Sequence, residues 1–81
     1  MKLNQAFLLY QKGLKLYQAG KYDKAEPVFQ QSLAIIEQVR GEEHLDVAQI
    51  LGSLVLVYFA KGQHDSATPL CLRSLAIWKK T

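Results

Sequence analysis

Cysteine is nearly absent from this chain: Cys71 stands alone, so no internal disulfide is possible and the fold must rest on its apolar core. A single thiol fits a cytoplasmic setting better than an oxidising one. Glycine is sparse and scattered. Gly13, Gly20, Gly41, Gly52 and Gly62 never cluster, so no phosphate-cradling loop and no nucleotide site are expected. The most apolar run, Val47 to Ala60, is interrupted by Gln49, Gly52 and Ser53 and falls short of the roughly 20 residues that cross a bilayer. It reads as a core segment, and no membrane partner is expected. The opening Met1-Lys2-Leu3-Asn4-Gln5 has neither the apolar stretch nor the small-residue cleavage site of a secretory signal, so export is not expected. Charge of one sign is also scarce. Ten Lys and Arg against seven Asp and Glu give a net +3, without a basic run of five, which argues against an arm for nucleic acid. Lys12, Lys15, Lys21, Lys24 and Lys61 are read as a solubilising outer face rather than an RNA or DNA patch.

What the chain does have is apolar side chains, 49% of its 81 residues, with 21% charged. That balance belongs to a packed unit rather than a disordered one. At this length a single core is only marginally sufficient.

The chain also repeats itself. Residues 3–39 laid over 45–81, a shift of 42, align twelve identical residues in 37 pairs. They are Leu3/Leu45, Ala6/Ala48, Leu9/Leu51, Leu14/Leu56, Gly20/Gly62, Asp23/Asp65, Ala25/Ala67, Pro27/Pro69, Ser32/Ser74, Leu33/Leu75, Ala34/Ala76 and Ile35/Ile77. Two copies of one structural unit follow, residues 3–44 and 45–81, within one domain.

Each unit reads as two helices around a glycine. Ala6, Leu9, Tyr10, Gly13, Leu14 and Tyr17 recur at the spacing of one helix face, and Gly20 then stops the helix, as Gly62 does in the second copy. The second helix of each unit carries Ala25, Phe29, Leu33 and Ile36, or Ala67, Cys71, Leu75 and Trp78. Asp23 with Glu26 has capping-box spacing, and Asn4 and Asp46 stand where they can cap the first helices, with Gln49 as a box partner for Asp46. Pro27 and Pro69 lie slightly inside the second helices and are the weakest local fit. Leu54 to Phe59 alone would pass for a buried strand, but the repeat makes it a helix apolar nearly all round, sandwiched between neighbours. The expectation is an all-α fold of four antiparallel helices near residues 4–19, 22–40, 46–61 and 64–80.

No constellation for catalysis stands out. Cys71 and His64 lie seven apart, at positions where the repeat expects a core residue and a helix start, so Cys71 is read as a buried structural cysteine. Glu42, Glu43, His44 and Asp46 lack the spacing of a metal site and are read as a solvated linker. No enzyme activity, cofactor or metal is expected.

The string Leu16-Tyr17-Gln18-Ala19-Gly20-Lys21-Tyr22-Asp23-Lys24-Ala25-Glu26-Pro27, with Ser32-Leu33-Ala34-Ile35, resembles the 42-residue tetratricopeptide repeats of kinesin light chains. The second copy continues the resemblance with Leu56 to Gly62, Ala67, Pro69 and Leu75-Ala76-Ile77. The chain departs from that family at Leu45, where a proline is usual, and at His64, where an aromatic is usual. Tyr10-Gln11 and Gly52-Ser53 stand where paired asparagines clasp an extended peptide, and Tyr10, Leu14 and Ser53 replace the residues of a carboxylate clamp.

The resemblance implies a right-handed stack of two helix-turn-helix repeats whose first helices line a concave surface. That places Phe7, Tyr10, Gln11, Leu14, Tyr17, Gln18, Gln49, Ser53, Leu56 and Phe59 in a groove without formal charge. An apolar or amphipathic peptide or helix of a partner protein fits it, or these side chains simply fill a narrow two-repeat groove. Repeat stacks usually need three units and a polar cap. Cys71, Leu75 and Trp78 are therefore expected on an open face. Three arrangements stay open for it: a homo-oligomer, with end-to-end packing or exchange of a unit through Arg40 to His44; a longer array of which this is a fragment; or Trp78 folding back.

Overall fold

The structure, a computed structural model, describes residues 2–80. They form α1 (Lys2–Gln18), α2 (Tyr22–Arg40), α3 (Leu45–Ala60) and α4 (His64–Lys80). The expected all-α class and helix order hold. Successive helices pack on one another, and α1 also touches α3. The result is a slab of 29 × 29 × 14 Å, the thickness of two helix layers.

The two hairpins are closed by the same bonds at equivalent positions. Gly20 and Gly62 take φ of 78° and 75°, left-handed values that a side chain resists. The Gly20 N–H donates to the Tyr17 carbonyl at 3.0 Å and the Lys21 N–H to Leu16 at 2.8 Å; Gly62 to Phe59 at 3.0 Å and Gln63 to Tyr58 at 2.8 Å repeat the pattern. This paired closure satisfies carbonyls that a helix end leaves open. Further along, Ser32 Oγ donates to the Ala6 carbonyl at 2.8 Å and Ser74 Oγ to the Ala48 carbonyl at 3.2 Å, both buried. Tyr17 and Tyr22 meet with ring centroids 5.4 Å apart, and Phe59 and His64 at 5.1 Å, so His64 does the packing that an aromatic does in the first hairpin.

Between the hairpins lies α3. Val47, Ala48, Ile50, Leu51, Leu54, Val55 and Val57 are all buried, as expected of a helix sandwiched between neighbours. The same core takes in Phe29 and Ile36 of α2, both fully buried. Polar bonds fasten the edge of the same junction. Glu26 on α2 accepts from Tyr58 Oη at 3.2 Å and from Lys61 Nζ at 2.8 Å, and Lys61 also reaches Asp23 at 3.0 Å. Arg73 on α4 pairs with Glu37 on α2, tying the second helices of the two hairpins together.

Close approach within the first hairpin depends on Gly13. A Cβ there would lie 2.6 Å from Cε1 of Phe29. The second hairpin has the sizes reversed at the equivalent positions, Val55 and Cys71.

Several local expectations are corrected. Helix α1 starts before Asn4, so Asn4 lies inside it and is not its cap. Helix α3 is capped by His44, whose Nδ1 accepts the Asp46 N–H at 3.0 Å; Asp46 sits in the first turn beside Arg40, 3.7 Å away. No side chain caps α2. Asp23 and Glu26 do not form a capping box, because Lys61 and Tyr58 offer them stronger, charge-assisted partners across the hairpin junction. Pro27 and Pro69 are each the sixth residue of their helix, past the first turn, yet both helices run on through them. Cys71 is exposed, not buried. The buried line of α4 is Ala67, Ser74 and Ile77, since α3 covers only one side of that helix.

Two consequences can be measured. Gly13→Ala should cost about 1–3 kcal/mol in urea unfolding, the usual penalty of overpacking against a buried ring. Gly52→Ala, with nothing within 4 Å of the added methyl, should instead gain about 0.5–1 kcal/mol from helix entropy. At high pH the Glu26 cluster weakens. The Tyr58 phenol is raised above its ordinary 10.0 by burial and then by the Glu26 charge. The Lys61 ammonium is raised above 10.5 by its bonds to Glu26 and Asp23. The folded state holds both protons more tightly than the unfolded chain, so their stabilisation is complete below those ordinary values and lost as pH rises through the raised ones. Unfolding free energy followed into that alkaline range should fall, and should fall less steeply in Glu26→Gln.

Candidate functional site

Tyr58 and Lys61 turn one side of α3 toward α2. Helical geometry then puts Gln49, Ser53, Leu56 and Phe59 on the other side, next to α1. The two first helices meet where the Tyr10 hydroxyl and Ser53 Oγ share a hydrogen bond of 3.0 Å. The Tyr10 ring tilts against Phe29 with centroids 5.7 Å apart, so Tyr10 both closes the floor of the face and supports the core.

At the start of α1 and α3 this face opens into a cleft of about 220 Å³ lined by Phe7, Tyr10, Ile36, Asp46, Gln49 and Ile50. Of the residues expected in the groove, the structure brings Phe7, Tyr10 and Gln49 into one cleft and joins Tyr10 to Ser53. Leu14 and Tyr17 are half-buried against the core, and Tyr17 is further occupied by Tyr22. Gln11 and Gln18 are exposed. Phe7, Leu56 and Phe59 remain accessible, at 45%, 51% and 50%. For side chains of that size on one face, this is a large apolar area left in water.

Ile36, Ile50 and Asp46 also line the cleft, beyond the residues expected from the sequence. Asp46 brings a carboxylate to a face read as chargeless, although Arg40 lies 3.7 Å and His44 3.6 Å from it. Its place was legible in principle, since it stands three residues before Gln49 on the same helix. Ile36 arrives from α2 of the other hairpin, which no spacing within α3 announces.

The open face expected on α4 carries Cys71, Leu75 and Trp78, all exposed. In the same register of α2, Phe29 and Ile36 are fully buried and Leu33 half-buried against the core. Arg40 to His44 joins α2 directly to the α3 that packs on it.

Chemically, these faces offer apolar contact and a few amide and hydroxyl bonds. Among the described residues, no three His, Cys, Asp or Glu side chains are grouped so as to hold a metal ion. No described helix is long and apolar enough to cross a membrane.

No curated protein matches the chain. The sequence model of the tetratricopeptide repeat matches residues 4–80, through both hairpins and the junction between them. Repeats of this kind are generally non-catalytic scaffolds for contacts between proteins. With the duplicated glycine closures, serine bonds and ring contacts of its two hairpins, the chain belongs to the tetratricopeptide repeat family.

Proposed function

We propose that the chain is a protein-binding module, not an enzyme, whose α1–α3 face takes an apolar or amphipathic helix of a partner protein. Residues 3–44 and 45–81 act as the two repeats of one domain in this reading. The observation that carries it is the combination of a pre-formed cleft beneath Phe7 with accessible Leu56 and Phe59 on the same side. A partner helix sets its large side chains one or two turns apart. One can enter the cleft while the next lies on Leu56 and Phe59. Gln11, Gln18 and Gln49 border this path and supply hydrogen bonds without the cost of burying a charge. Asp46 at the end of the cleft favours a donor or a basic residue on the partner.

The exposed, unpaired thiol of Cys71 supports a reducing, cytoplasmic setting. Self-association uses another surface, the outer side of α4.

The test is selection of binders from a library of amphipathic helical peptides, followed by variants. Phe7→Ala with Leu56→Ala removes two exposed side chains, so the unfolding midpoint should hold while affinity falls by about 30-fold, the loss of a typical interface anchor. Tyr10 is left intact because it packs on Phe29. Binders indifferent to this pair, or lost only on changing Leu75, would place recognition elsewhere and sink the reading.

A further inference from the structure

We propose that α4 is a self-complementary dimerisation helix, packing antiparallel against α4 of a second copy about a two-fold axis at Leu72. Thr68, Cys71, Leu75 and Trp78 recur at steps of three, four and three, the seam spacing of paired helices, and all four are exposed. In the first hairpin the same register is covered: its counterparts Phe29 and Ile36 are completely buried, Phe29 against Gly13 and Tyr10 of its own hairpin.

Charge along the face selects the occupant. Asp65, Leu72 and Lys79 form one exposed stripe bordering the seam, with Leu72 seven residues from each charge, about 10 Å along the helix. In an antiparallel pair centred on Leu72, each Asp65 faces Lys79 of the other copy, twice by symmetry. A parallel pair would set like charges together.

Head-to-tail stacking of α4 on α1 is disfavoured by the junction already present in the molecule. By helical geometry the side of α3 that sends Tyr58 and Lys61 to α2 also carries Val47, Leu54 and Val57, all buried. Their counterparts on α1 are Gln5, Lys12 and Lys15. Stacking there would press two lysines onto Cys71 and Leu75, where α4 offers no opposing carboxylate near the centre. The outer face of α1 is no substitute for that of α3, whereas α4 complements itself. A closed two-fold contact of this kind uses the same patch on both copies.

Sedimentation of the intact chain over a dilution series should show a monomer–dimer equilibrium. Asp65→Lys and Lys79→Asp should each weaken it by about tenfold, since two attractions become two repulsions, and the double reversal should restore it. Both substituted positions are exposed, and a thermal melt of each of the three variants checks that the fold survives. A short bismaleimide should trap the wild-type dimer through Cys71, the single thiol of each copy, next to the axis. A monomer at every concentration overturns the proposal. So does a dimer unmoved by either single reversal, or one that resists the cross-linker and instead responds to changes at Leu8 and Lys12, which would indicate head-to-tail stacking.

Discussion

The fold depends on burying α3 from both sides at once. Val47, Leu51, Leu54 and Val57 reach essentially no water, and each such side chain contributes about 1.5–3 kcal/mol when fully buried. Neither hairpin can achieve this alone. Helix α4 covers one side of α3, and α2 of the other hairpin covers the next. The apolar core accordingly runs through both hairpins.

Around that apolar junction the polar groups act as fasteners at its edges. Glu26 collects Tyr58 and Lys61 at one end of α3, Arg73 and Glu37 join the second helices, and Arg40 with Asp46 steadies the connection. These pairs cross between hairpins, whereas the buried serine bonds and ring contacts work within each one. Local closure and long-range closure thus use different chemistry. The acids expected to cap helices serve the second purpose instead, because a lysine and a phenol brought in by the tertiary fold offer more than a backbone amide at a frayed end.

The same stacking principle explains why the surfaces left over are apolar. Helix α3 is covered from two sides, whereas among the described residues α4 is covered mainly by α3 and carries an exposed apolar stripe at Leu72, Leu75 and Trp78. The α1–α3 face is different in kind. Phe7, Leu56 and Phe59 lie away from the α2–α3 junction, exposed on the side that holds the cleft.

Much of this was legible in the sequence. The 42-residue repeat, the punctuating Gly20 and Gly62 and the three- and four-residue spacing determined four helices, their order and the central place of α3, because backbone periodicity and left-handed glycine turns are local properties. Only the tertiary structure decided the rest. Which side of α4 is buried depends on where α3 lies, so Cys71 changed from core to surface. Whether Tyr10 is a ligand-binding ring or a structural one depends on Ser53 and Phe29, far away in sequence. That Ile36 and Asp46 share a cleft follows from the angle at which two hairpins meet, and packing across a junction sets that angle where no spacing along one helix can.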